Sequence, residues 1–382
     1  MAKTILILGG GAGGLVAANE LRQKLNGEHK IVLIDQNDFH LFYPSLFWVL
    51  EGTRTPEQIT KKLTGLAKKG IDFRQGIITK IDVIEKKVEA GALSYSYDYL
   101  IIALGARLNY DAVEGLGAEN CLYALPGILD IRKRLNEFSG GKAYVVVASV
   151  PFRCPAAPYE AAMLLNYFFR QRGIRDKVDL RVFTAEDQPM AVAGPKIGAS
   201  VRGMIENQGI KYQPKVRLTS VDNRSGKIFF DNGEKIDFDL LAIVPPHKAP
   251  EVAKEAGLLG DSGWVPVNPS TLETKHPGVF AIGDITGIKL PNGKALPKAG
   301  VFAHYEAKVV AERIAAEIEG KKLAPKFNGW GSCFLEVGSG KAGLAFGNFY
   351  AKPDPKVTMF PPLKFWHLIK ILFEKWWFYK WF

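Results

Sequence analysis

Apolar positions in this chain gather in short runs instead of alternating strictly with polar ones. Such runs occur at Thr4–Leu8, Lys30–Asp35 and at residues 97–105, 143–148, 179–185, 239–244 and 279–283. A run of this kind reads as a strand of a parallel sheet, buried on both faces. Between them lie stretches with helical spacing, at 156–169, at 195–207 and from about 298–300 onward. Strands alternating with helices predict an α/β protein of two Rossmann-like, dinucleotide-binding domains. The last stretch breaks the pattern. FPPLKFWHLIKILFEKWWFYKWF (residues 360–382) predicts an amphipathic helix opened by Pro361-Pro362. At 100° per residue Phe365, Ile369, Leu372 and Trp376 share one face, with His367, Lys370 and Glu374 opposite.

The first strand runs into GGGAGG. Gly9, Gly11 and Gly14 match G-x-G-x-x-G, with Ala12 and Gly13 between them. These glycines allow a tight turn, close backbone approach to a phosphate and close helix–strand contact. The helix N-terminus adds N–H donors and a positive dipole for a pyrophosphate. The next strand ends at Asp35, 21 positions after Gly14, where a carboxylate can accept from an adenosine ribose hydroxyl. Two later strand ends, Ala-Leu-Gly-Ala around Gly105 and Gly283-Asp284, resemble the recurring segments of flavoproteins with two dinucleotide domains. That resemblance makes FAD the expected cofactor, with Asp284 on its ribityl chain. The helix beginning at Lys298–Gly300 is then expected to point its N-terminus at the flavin. Lys298 is either a second positive charge there or a solvated lysine.

In the second domain the turn after residues 143–148 reads SVPFRCPAAP. It has no glycine, Pro151 and Pro155 lack the N–H groups a phosphate cradle uses, and Cys154 occupies the approach. The expectation is a retained scaffold without a working NAD(P)H site. A cysteine just before a helix, with Arg153 adjacent, favours a thiolate. Glu160, one turn into that helix, is a candidate proton acceptor or simply a carboxylate complementing the dipole.

Composition narrows the partners. A length of 382 residues suits two or three domains, expected at 1–113 with 259–325, at 114–258 and at 326–382. Net charge is +11, and residues 321–382 hold ten lysines against Glu336, Asp354 and Glu374. No nucleic-acid motif accompanies that charge, so an anionic membrane surface is its expected partner. The run after Phe365 is interrupted by Lys370, Glu374 and Lys375, which disfavours a membrane span and favours a helix in the headgroup region; a helix docked on the protein's own core is the alternative. No secretory signal is visible at MAK. The three cysteines, Cys121, Cys154 and Cys333, have no C-x-x-C or metal-ligand spacing, so no metal is expected.

GGGAGG, IIALGA, PFRCPAAPYE, VFAIGD, LPKAG and WGSCFLEVG together resemble the sulfide:quinone oxidoreductase family and its relative, the flavoprotein subunit of flavocytochrome c sulfide dehydrogenase. The resemblance spans nearly the whole chain. It implies a glutathione reductase-like fold and a redox pair made of Cys154 and Cys333. It further implies that sulfide opens their bridge to leave a persulfide, that two electrons pass through FAD to membrane quinone, and that sulfane sulfur or polysulfide leaves. Cys121 falls near the place of a third family cysteine; a catalytic, flavin-linking or merely buried thiol all remain open. HLFYPSLFWVLEG (residues 40–52) resembles a family loop that brings Pro44 near the flavin. The expected protein is therefore a peripheral (monotopic) cell-membrane enzyme, with a homo-oligomer left open. The other readings are a flavocytochrome c-type sulfide dehydrogenase subunit, a type II NADH:quinone reductase-like enzyme and a non-catalytic flavin-binding module.

Overall fold

The structure, a computed structural model, describes residues 1–322 and 325–382. One sheet runs in the order Val279–Ala281, Tyr99–Ile102, Thr4–Leu8, Lys30–Asp35 and Asp72–Gln75. All its pairings are parallel. Its central strand is buried on both faces, which is why Ile5 to Leu8 are uniformly apolar. Ile5 and Ile7 pack under the helices Ala12–Lys24 and Gly300–Ile318, while Leu6 and Leu8 face a small antiparallel sheet through Ile81 and Val88.

A second parallel sheet runs Lys211–Gln213, Val178–Thr184, Gly141–Val147 and Leu240–Val244. The helices Leu125–Glu137, Ala157–Gln171 and Pro195–Glu206 cover one face, and a three-stranded antiparallel sheet covers the other. The sequence reading of two α/β units is thus the observed fold. A third sheet, Trp330–Gly338, Lys341–Asn348 and Lys356–Leu363, is antiparallel and carries Cys333 to the second unit.

The tail departs from expectation in two ways. Pro361 and Pro362 do not open the helix; they end an edge strand, and the helix spans Lys364–Trp381. An edge strand leaves one row of N–H positions unused, so proline is tolerated there. The helix also docks with its polar face inward. Lys370, Glu374, Trp377 and Trp381 are buried, while Phe365, Leu368, Leu372, Trp376 and Tyr379 are exposed. Among the described residues no helix is long and apolar enough to cross a membrane.

Candidate active site

A groove opens at the end of the first sheet. Gly9 has φ +104°, and a Cβ there would lie 2.4 Å from the Ala103 carbonyl oxygen, so only glycine fits the turn. A Cβ on Gly14 would meet the Gly9 oxygen at 1.8 Å, whereas one on Gly11 would meet nothing within 4 Å. Gly11 therefore leaves open space directly before the helix N-terminus at Ala12. Gly300 begins the second helix, and a Cβ on it would lie 3.8 Å from the Ala12 Cβ. Two helix N-termini thus converge on one groove, a setting for anionic groups. The Asp35 carboxylate accepts from the Gly10 N–H at 2.6 Å and the Asn37 N–H at 2.7 Å, closing the turn's far side. Gly13 packs beside Ile282, and Gly105 is open on its Cβ side. Gly283 has φ +76°, and its N–H donates to Glu306 at 2.6 Å. Pro44 sits in a 3₁₀ turn, Tyr43–Ser45.

Beside the N-terminus of the Gly300 helix, Cys154 of the second unit meets Cys333 of the third sheet. Cys154 lies in the left-handed region at φ +49°, held by its N–H donating to the Lys298 carbonyl at 2.6 Å and by the Tyr123 hydroxyl donating to its own carbonyl at 3.2 Å. That conformation places the side chain beside Cys333 of the third sheet, both cysteines line one pocket, and the Cys333 thiol donates to the Phe334 carbonyl at 3.2 Å. The Cys333 side chain beside it pulls the Cys154 thiol below its ordinary range against the effects of burial and of Glu160, with help from Lys370 and the Ala157 N–H. For the same reason, and through burial, Cys333 is pushed well up. Of the two sulfurs, Cys154 is the one that ionises more readily.

Residues 3–307 match the pyridine nucleotide-disulphide oxidoreductase family. The chain belongs to that family. It is similar to the mitochondrial sulfide:quinone oxidoreductase of Mus musculus, with 26% identity over 91% of this chain and 79% of that one. It is 27% identical to the sulfide-quinone reductase of Aquifex aeolicus over its whole length and 91% of that protein. The crystal structure of the Aquifex aeolicus sulfide:quinone oxidoreductase superposes with a TM-score of 0.90 at 26% identity, covering 100% of this chain and 91% of that one. A type II NADH:quinone oxidoreductase of Haemophilus influenzae is 25% identical over 86% of this chain and 84% of its own. As a member of this family the protein is an FAD-dependent oxidoreductase, and the glycine cradle with its two helix N-termini fits that cofactor.

The structure redistributes the roles around the cysteines. Arg153 does not turn to Cys154; its guanidinium lies 4.1 Å over the Tyr43 ring and 5.3 Å from that of Tyr123. Lys298 is not solvated. It is buried, donates to the Asp284 and Thr286 carbonyls, lies over the Trp264 ring, and is pulled down to about 8 by burial. Asp284 is pushed up by burial, against the charges of Arg153 and Lys298. Cys121 is fully buried, accepts from the Tyr123 N–H at 3.3 Å and sits beside Tyr110. Burial pushes it up, and the contacts that shape Cys154 and Cys333 do not include it.

Glu160 is buried and salt-bridged to Lys370 of the C-terminal helix at 2.9 Å. Lys370 also lies 3.5 Å from Glu336, whose carboxylate takes His367 Nδ1 at 3.0 Å. The Glu336 N–H donates to Glu160 at 3.2 Å. Sequence reading names Glu160 as a candidate proton acceptor and places His367, Lys370 and Glu374 on one face of the tail, but nothing in the sequence shows that Lys370 and Glu336 meet Glu160.

On the other side of the cysteines lies a pocket of about 510 Å³, lined by Cys154, Cys333, Met190, Val301, Phe346 and Val357 among others. None of its lining residues is charged.

Proposed function

We propose that this protein is a sulfide:quinone oxidoreductase working at a membrane surface, with Cys154 and Cys333 as its redox pair. The observation that carries this reading is the meeting of two cysteines from separate parts of the chain on one uncharged pocket, beside the N-terminus of the helix that begins at Gly300.

Sulfide reaches the pair through the uncharged pocket. When Cys154 and Cys333 are joined, hydrosulfide attacks one sulfur, the S–S bond breaks, and one cysteine carries a persulfide while the other leaves as a thiolate. The surroundings of Cys154 suit it to hold that negative charge. If thiolate and persulfide join through the added sulfur as a trisulfide, one proton and two electrons are released, and FAD, when bound, would supply the two-electron acceptor that connects them to quinone. The helix beginning at Gly300 offers its N-terminus to negative charge on the flavin, with Lys298 held nearby by Asp284 and Thr286. Sulfur leaves as sulfane sulfur or polysulfide through the same pocket.

The exposed apolar face of the C-terminal helix, below a chain end rich in lysine, supports peripheral attachment to an anionic membrane. A quinone would then enter beside that helix, near Phe334 and Phe373, whose rings lie 6.5 Å apart.

The NADH-using alternative is disfavoured at its own site. Beyond the strand Val178–Thr184, the Glu186 carboxylate that could meet a ribose is buried and takes the Tyr159 hydroxyl. Anaerobic flavin absorbance decides the matter. Sulfide is expected to bleach the bound flavin and a soluble quinone analogue to restore it; bleaching by NADH alone overturns the reading.

A further inference from the structure

The oxidation proposed above must move protons as well as electrons. H₂S gives up two protons and two electrons as it becomes sulfane sulfur, and quinone takes up two of each. The partly buried cysteine pair opens on a pocket that holds no charged group to take a proton, so its protons need another path.

The charged cluster beside the pair offers one. It joins three parts of the fold: Glu160 on the cysteine helix Ala157–Gln171, Glu336 on the strand Trp330–Gly338, and Lys370 with His367 on the C-terminal helix. Glu160 and Lys370 both act on the charge of Cys154 and of Cys333. Lys370 then bridges Glu160 at 2.9 Å and Glu336 at 3.5 Å, and Glu336 meets His367 at 3.0 Å. Burial falls off along this line. The side chains of Glu160, Lys370 and Glu336 are at most 7% exposed, whereas that of His367 is 28% exposed.

A stability role explains such a cluster poorly, since a buried ion pair contributes little net stability. Glu51, on the short helix Leu46–Glu51, adds a third carboxyl to one ammonium, and burial with the charges of Glu336 and Glu160 pushes it up to about 7. The cluster thus holds an exchangeable proton near neutrality. Trp48 closes it below, with Lys370 and Arg54 each 4.8 Å from its ring, and Arg54 pairs separately with Glu374.

We propose that Glu160, Lys370, Glu336 and His367 form the proton path of the cysteine pair: Glu160 takes the proton that sulfide loses, and His367 exchanges it at the surface beside the C-terminal helix. In each passage Lys370 gives a proton to Glu336 as it receives one from Glu160, so its own charge is unchanged. Glu336 and His367 act through Glu160 and are positioning residues.

This proposal rests on the sulfide reading, and the test separates the two. Flavin reduction by sulfide is followed anaerobically across pH in the FAD-loaded wild type, in His367→Ala and in Glu336→Gln, with flavin content and melting temperature checking the fold. His367→Ala is expected to slow reduction about tenfold or more, and added imidazole to restore it in proportion to its concentration. Glu336→Gln is expected to slow it comparably and to be unrescued by imidazole, with Glu336→Asp recovering part of the rate. A wild type that sulfide does not reduce sinks the function itself. A reactive wild type with both variants at full rate at every pH, or a slow His367→Ala indifferent to imidazole, overturns the path alone.

Discussion

The Trp377 indole N–H donates to His40 Nε2 at 3.1 Å, and His40 Nδ1 in turn meets the Gly10 carbonyl at 2.9 Å. Accepting at one nitrogen requires the other to donate, so His40 is neutral with its proton on Nδ1. Gly10 belongs to the glycine turn whose geometry fits FAD, and Trp377 to the C-terminal helix. One buried imidazole therefore joins the cofactor loop to the last element of the chain.

Trp377→Phe keeps the ring stack on His40 and removes only the N–H. It leaves a buried acceptor unpaired, at a cost of about 1–3 kcal/mol. The expected result is a lower melting temperature together with weaker FAD retention, read by flavin fluorescence during dilution. Coupling is reciprocal. Adding FAD to the apoprotein should therefore slow proteolysis of residues 364–382, and in Trp377→Phe that protection should shrink. Unchanged protection in the variant would leave the two elements uncoupled.

His40 also sets a pH dependence. Burial pulls it down to about 4 from an ordinary 6.5. Its folded value lies below its unfolded one, so the unfolded chain binds the proton more readily. Stability from this residue is complete above about 6.5 and is lost as pH falls toward 4, by at most about 3 kcal/mol. Buried carboxyls such as Glu306, pushed up to about 8, titrate in the opposite sense and are common to wild type and variant. Comparing the two isolates the histidine: His40→Gln should show a flatter melting curve against pH between 6.5 and 4 than the wild type.

Much of the fold was legible because parallel strands write themselves as apolar runs and the FAD turn demands glycine at set positions. Cys154 and Cys333 were legible only through their surroundings, PFRCPAAPYE and WGSCFLEVG; nothing in their spacing says that they meet. The charges around them were misjudged for a geometric reason. Arg153 is adjacent in sequence, but the left-handed backbone at Cys154 sends the two side chains different ways. The charge that does help lies on Lys370, 216 positions beyond Cys154, on a helix face that periodicity marks as polar without saying what it meets. Periodicity finds a helix's faces; it does not say which one the protein keeps.

The unequal cysteine pair predicts unequal reactivity. Cys154 is held as the better thiolate chiefly by the neighbouring Cys333 side chain, so Cys333→Ala removes the largest stabilising influence. The Cys154 thiol should then rise toward the range set by burial and Glu160. At neutral pH, alkylation of Cys154 by iodoacetamide in the reduced protein is expected to slow about tenfold, followed by peptide mass spectrometry. Cys333→Ser, whose hydroxyl can still donate, should fall between the two. An alkylation rate that rises in Cys333→Ala would assign the thiolate to the wrong partner.

The outward face of the C-terminal helix carries Phe365, Leu368, Leu372, Trp376 and Tyr379, all exposed. Large apolar side chains left uncovered along one helix face mark a surface that meets something other than water. The lysines near it, Lys364, Lys375 and Lys380, favour an anionic surface. Leu368→Glu together with Leu372→Glu changes only exposed positions, so the fold and the flavin should survive, and sulfide should still reduce the flavin at the wild-type rate. Cosedimentation with vesicles of mixed zwitterionic and anionic lipid should fall sharply, and reduction of a long-chain quinone held in those vesicles should fall with it. A short soluble quinone analogue should be reduced nearly as before, because the helix acts on where the enzyme sits and the cysteine pair on what it does. Vesicle binding that survives the double substitution would move the membrane contact elsewhere on the protein.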